Sequence, residues 1–373
     1  MFNSPSLVRN QKKTSANQGK ISCEHVHYKR CMLLLACVIL IPIAITVPMV
    51  LVNKKKANSS TTPSSTSTTE APLYNIITNT TKWKQNGITI FQAVDFDEGT
   101  GDLSSMDIDN NGTIYMAETM KDRIIEIKFG ETGFSIINGS DDVHQLFRPT
   151  DVIVDQKTDS IIICDAGNRR ILRWSRQNIS NREIVISNVY CIGLALDDDG
   201  YLYVSISELG KHEIRRWNLG INRTSTLIAG GGTSEDHFAQ LKMPNFLFID
   251  EDYSLYVADT QNHRVMKWRK NSKAGSCVAG GNGAGTNLTQ LSYPTGVVVD
   301  HLGNIYIADS NNNRIVRWIK GANKGSIVAG GNGPGNGTDQ LWAPYDLLFD
   351  KYGNLYVFDA GNHRLQKFFI ESN

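Results

Sequence analysis

The sequence predicts an all-β fold, a six-bladed β-propeller of four-stranded antiparallel blades preceded by a single transmembrane helix and a disordered stalk. Three observations predict it. Pro294 to Trp318 reads as three short strands, TGVVV, NIYIA and RIVRW, separated by turns rich in Gly, Asn and Asp. That pattern recurs at Pro244 to Trp268 and Pro344 to Phe368, and more loosely at Pro149 to Trp174, Leu103 to Ile127 and around Cys191 to Trp217. The residue opening the third strand falls at Arg123, Arg170, Glu213, Arg264, Arg314 and Arg364, at intervals of 47, 43, 51, 50 and 50 residues. Such a period, built from short strands, indicates a propeller because only neighbouring sheets can cover both faces of each small sheet.

Residues 1–30 hold Arg9, Lys12, Lys13, Lys20, Lys29 and Arg30 against the single acid Glu24, and read as a disordered cytoplasmic tail. Residues 31–52, CMLLLACVILIPIAITVPMVLV, carry no charge. About 20 apolar residues cross a bilayer core of roughly 30 Å, so this run is expected to be an uncleaved signal-anchor helix in lipid. Six basic residues before the span against Lys54, Lys55 and Lys56 after it favour a cytoplasmic amino terminus. The sequons at Asn58, Asn79, Asn111, Asn138, Asn178, Asn222, Asn287 and Asn336 all follow the span, which makes the carboxyl side extracellular or lumenal and these asparagines glycosylation candidates. Residues 53–86 form a stalk and linker whose Ser/Thr/Pro tract cannot build a core.

The propeller is expected over 87–373. Fourth strands are visible at 134–138, 182–187, 224–230, 275–281 and 325–331, but the sixth copy ends without one. GITIFQAV, residues 87–94, has strand character and no unit of its own, so it is expected to close blade six.

The repeated chemistry reads as structural. Asp165, Asp259, Asp309 and Asp359 end second strands, each five residues before an arginine, and are expected to bind nearby backbone N–H groups and that arginine. Trp174, Trp217, Trp268 and Trp318 share one third-strand position and pack between blades. Asp107 to Glu118 matches a calcium-loop pattern, but it runs directly into a strand and reads as a hairpin. AGGNGAG and AGGNGPG lack the continuation of a phosphate loop. With a net charge of +1, no basic stripe and no Cys/His cross-brace, the sequence does not point to a nucleic-acid partner. No cofactor is called for. Cys164 and Cys191 are expected on one face of adjacent blades, within reach of a disulfide in an oxidising compartment.

Together, Pro-x-Gly, an apolar strand, Asp, Gly-Asn, Tyr-x-Ala-Asp and Asn-His-Arg resemble the NHL-repeat family over about residues 88–370. The resemblance implies a six-bladed propeller used mostly as a binding platform, with a few enzymatic members. The leading expectation is a membrane-anchored extracellular module that binds a protein, peptide or glycan. Its ligand face is built from the inter-blade linkers and the turns after the second strands. The non-repeated residues there, His144, Arg148, His237, Asn287 and Trp342, are the expected ligand contacts. The alternative is a metal-dependent propeller enzyme, similar to the peptidyl-hydroxyglycine amidating lyase or to lactonases, drawing histidines such as His144, His237, His263 and His363 from that face.

Overall fold

Each repeat folds as a four-stranded antiparallel sheet, and the sheets stand side by side in a ring of six. A computed structural model describes residues 76–92, 103–131, 133–139, 143–178, 180–208, 210–220, 223–231 and 240–371. The inner strands are Leu103–Ile108, Pro149–Asp155, Cys191–Leu196, Pro244–Ile249, Pro294–Val299 and Pro344–Phe349, for blades one to six in order. Each packs beside the next, and that of blade six packs beside that of blade one. Second strands such as Ile305–Asp309 and Leu355–Asp359 are buried along their whole length. Covered on both faces, they read as continuous apolar runs and not as alternating ones. Trp174, Trp268 and Trp318 are buried in the layers between blades, as is Phe368.

Blade six holds three consecutive strands, Pro344–Phe349, Leu355–Asp359 and Arg364–Phe368, and its outer edge is filled by Ile88–Gln92. That strand pairs antiparallel with the third, Ile88 opposite Lys367 and Gln92 opposite Arg364. Residues 93 and 94 lie outside the described residues. The chain before this strand differs from the stalk and linker read at 53–86, because from residue 76 it is docked on the propeller. Trp83 is 2% exposed and donates its indole N–H to the Gly353 carbonyl at 2.9 Å. Its ring meets Tyr306 edge-on at 5.6 Å, and Ile77 joins the same apolar cluster between blades five and six. Two antiparallel main-chain bonds, Lys84 N–H to Phe369 O and Glu371 N–H to Lys82 O, tie the two ends of the domain together.

Turns define the two faces of the ring. On the hairpin face, between first and second strands, an aspartate folds each turn back on itself: Asp109 Oδ1 accepts from the Asn111 and Thr113 amides, and Asp300 Oδ1 from those of Leu302 and Asn304. The Asp107 to Glu118 segment is therefore a hairpin. On the linker face, a one-turn 3-10 helix follows the second strand in five blades, as at Ser310–Asn312 and Ala360–Asn362. Blade three instead runs Tyr201–Glu208 and Lys211–Asn218 as one long hairpin. Cys164 and Cys191 form a buried disulfide that joins blades two and three near this face.

The span read at 31–52 lies outside the described residues, as do the 1–30 tail, Asn58, Asn222 and His237. Among the described residues no helix is long and apolar enough to cross a membrane.

Candidate functional site

The linker face is held by one repeated device. Asp165, Asp259, Asp309 and Asp359 each accept the arginine Nε on Oδ2, at 2.6, 2.7, 2.7 and 2.8 Å. Their Oδ1 atoms accept the amides of Phe147, Lys242, Ser292 and Trp342 at 2.6–2.7 Å. These carboxylates are fully buried, and burial raises those of Asp259, Asp309 and Asp359 despite the arginines. Repeated acids and arginines thus pin the linkers that enter blades two, four, five and six.

Four large apolar side chains stay exposed on the pinned linkers. Phe147, Met243, Tyr293 and Trp342 are 49, 42, 36 and 53% exposed, each lying one or two residues before the proline that starts an inner strand. The backbone just before that proline is left-handed in all four linkers, with φ of 50° at Arg148, 50° at Met243, 56° at Tyr293 and 46° at Ala343. Non-glycine residues occupy that region at a cost, which the pinned linker sustains. Of the residues expected from sequence, Trp342 belongs to this set. Arg148 is exposed beside Phe147 and gives its N–H to Asp122 at 2.7 Å. His144 lies in the same linker, partly buried. Asn287 is exposed in the linker to blade five, its carbonyl capping a turn with the Gln290 amide. The four stand in the linkers of blades two, five and six and are not gathered into one pocket. Phe147, Met243 and Tyr293 were not singled out from sequence, although an apolar residue next to the repeat proline was a legible signal.

The axis holds a second feature. A cavity of about 550 Å3 opens on the hairpin face between the turns at Asp109, Asp300 and Asp350, with His301 and Lys351 at its mouth. Its wall is mostly apolar, including Met106, Leu194, Phe246 and Leu347, and is interrupted by Asp107, Asp151 and Asp346. Every inner strand is irregular just after its first residue, which turns the third position of the repeat toward its neighbour. Where that position keeps glycine, the adjacent strand is so near that a β-carbon on Gly296 would lie 2.8 Å from Asp346 Cα. Where it carries aspartate, the carboxylate bridges the gap. Asp346 Oδ2 accepts from Met106 N–H at 3.0 Å, and Asp151 Oδ2 from Leu194 N–H at 2.6 Å. Asp107, two positions further along, reaches Val154 N–H at 2.7 Å.

Burial in this low-dielectric channel pushes Asp107 up to about 6 and Asp151 to about 7, against the backbone bonds that favour their charged forms. Asp346 is raised well above the ordinary range by burial first and the Asp151 charge second. On the linker side the axis is narrowed by Tyr345, whose hydroxyl accepts from the Asn245 amide at 3.0 Å and whose ring meets Phe246 at 5.6 Å. Among the described residues no three His, Cys, Asp or Glu side chains are grouped to hold a metal ion.

The fold and its repeated turns are those of a six-bladed β-propeller, and the NHL repeat family matches residues 291–318, the linker and first three strands of blade five. No curated protein matches the chain in sequence. Among solved structures it is similar to an auxiliary nutrient binding protein from Bacteroides thetaiotaomicron VPI-5482 (16% identity, TM-score 0.58, 78% of this chain and 73% of that one). It is also similar to XC5397 of Xanthomonas campestris, described as a gluconolactonase (15% identity, TM-score 0.54, 72% and 86%). A third likeness is to a chain of a nidogen/laminin complex (17% identity, TM-score 0.50, 60% and 78%). At these identities the likeness is one of fold.

Proposed function

We propose that this chain is a binding module, displayed outside the cytoplasm on a single-pass anchor, that engages a protein, peptide or glycan through its linker face. The observation that carries this reading is the set Phe147, Met243, Tyr293 and Trp342: large apolar side chains held outward by four linkers on a face whose repeated polar groups are already bonded. The display is consistent with where the chain arrives, since Ile76 and Ile77 lie near Gly353 in a hairpin-face turn, opposite the linkers. A buried disulfide fits an oxidising compartment, and every sequon asparagine among the described residues is exposed. The fold likeness to a nutrient binding protein and to a chain of a nidogen/laminin complex is compatible with binding.

Proximity labelling on intact cells that express the full chain, compared with Phe147→Ala/Trp342→Ala, tests this reading. Partners labelled by the parent and lost from the variant support it, whereas identical labelling, or labelling confined to cytosolic proteins, rejects it.

The rival reading, a metal-dependent enzyme, would gather linker-face histidines, yet His144, His263 and His363 belong to blades two, four and six; its other place is the axial cavity. The carboxylates there are already committed to bonds with backbone N–H groups, which weighs against it. Stoichiometric zinc or calcium in the purified protein would restore that reading.

A further inference from the structure

His212 and His263 occupy the same position in blades three and four, immediately before the residue that marks the third strand. In blades one and five the side chain at this position reaches the residue that precedes the next blade's proline. Asp122 Oδ1 accepts from Arg148 N–H at 2.7 Å and Asn313 Oδ1 from Ala343 N–H at 2.9 Å. The two histidines do this through a ring nitrogen: His212 Nδ1 accepts from Met243 N–H at 3.3 Å and His263 Nδ1 from Tyr293 N–H at 3.2 Å. A backbone donor aimed at Nδ1 requires a lone pair there, which places the ring proton on Nε2. Imidazolium carries N–H on both nitrogens and cannot accept this bond.

We propose that His212 and His263 are acid-sensitive latches holding Met243 and Tyr293 in their displayed positions, so that acidification loosens the linker face and whatever it binds. The proposal rests on the linker-face reading above. Met243 and Tyr293 are the residues held at positive φ, so losing the bond removes a restraint on strained backbone. His212 has an alternative partner once protonated, because the Ser207 hydroxyl lies 3.3 Å from the same Nδ1. His263 stacks obliquely against the Tyr293 ring at 5.6 Å, a second contact with the linker it holds.

The charged surroundings set the range. Around His212, burial and Lys242 favour the neutral ring while Asp259 opposes them. Around His263, burial again leads, joined by Lys242 and opposed by Asp309 and Asp259. Lys211 and Glu213 flank His212 in sequence, and Arg264, next to His263, is paired to Asp259. Both histidines lie below their ordinary value of 6.5. A lowered folded pKa means that the latch is intact above that value and is lost as pH falls below it.

Hydrogen exchange on the full chain in detergent reads the latch without a partner. Peptides spanning 240–246 and 290–296 are compared at about pH 7.5 and about pH 5.5, after correction for intrinsic exchange, with 340–346, latched by Asn313, as reference. The Met243 and Tyr293 peptides are expected to lose protection by about threefold to tenfold in acid relative to the reference, the scale of one net hydrogen bond. His212→Asn/His263→Asn, which copies the Asn313 arrangement, is expected to stay protected at both pH values. Equal ratios for all three wild-type peptides overturn the latch whether or not the variant folds, as does an unchanged acid response in the variant. Loss of partner labelling in Phe147→Ala/Trp342→Ala speaks to the binding face alone, so the two readings fail separately.

Discussion

The Trp342 indole lies on the backbone of Gly361: a β-carbon there would sit 2.6 Å from Trp342 Cγ and 2.7 Å from its carbonyl oxygen. The Gly361 amide donates to that carbonyl at 2.8 Å. Phe147 and Gly167 repeat the arrangement in blade two, with Phe147 Cδ1 2.5 Å from the same imagined atom. Blades four and five carry Gln261 and Asn311 at the glycine's place, and there Lys242 and Ser292 replace the aromatic residue. At the position two residues before the proline, an aromatic ring and a missing β-carbon go together in blades two and six. Gly361→Ala should therefore displace Trp342 and cost about 1–3 kcal/mol, as overpacking does. Trp342→Ala, at a half-exposed site, should cost less than about 1 kcal/mol. Thermal melts with tryptophan fluorescence check both, and a silent Gly361→Ala would contradict the contact.

The Cys164 to Cys191 bridge closes a separation of 27 residues between the end of one blade's second strand and the start of the next blade's inner strand. A loop of that size restrains the unfolded chain by about 3.5 kcal/mol. Cys164→Ala/Cys191→Ala should melt several degrees below the parent in non-reducing buffer and match the parent's melt after full reduction. Equal melts in both buffers would show that the bridge contributes nothing.

Trp83 is the anchor of the segment that leads into the closing strand. Trp83→Ala removes its contacts with Tyr306 and Phe349 and its bond to Gly353. The expected loss is about 3–5 kcal/mol, the range for a buried aromatic residue. Denaturant titration should show the whole domain unfolding earlier in one transition. A separate early transition would mean that the segment detaches without opening the ring.

The repeat was legible because its period is imposed by packing: Trp174, Trp268 and Trp318 recur where one blade must cover the next, and Asp259 with Arg264 recurs where a linker must be pinned. The axial carboxylates were less so. Asp151 and Asp346 stand at the glycine of Pro-x-Gly, and that departure is visible in sequence. Its consequence depends on the irregularity after the first residue of each inner strand, which no periodicity reveals. His212 was obscured in another way, because Glu213 beside it breaks the Asn-His-Arg pattern that exposes His263.

Asp107, Asp151 and Asp346 make stability depend on pH in a direction opposite to the usual paired carboxylate. Their ordinary value is 3.8, and the folded protein raises all three, Asp107 to about 6 and Asp151 to about 7. Between those limits the folded chain retains protons that the unfolded chain has released, so these groups lower stability as pH rises from about 4 to about 7. Asp151 is 3% exposed, and its share of that decline is on the order of 2–4 kcal/mol. Asp151→Asn cannot titrate, but its amide can accept only one of the Leu194 and Val152 N–H bonds, at a cost of about 1 kcal/mol or more. Near pH 4.5 the variant should therefore be less stable than the parent, and the gap should close or reverse by about pH 7.5. Denaturant midpoints measured across that range decide the matter: curves that run parallel would mean that Asp151 is charged throughout and acts only as a stitch between blades two and three.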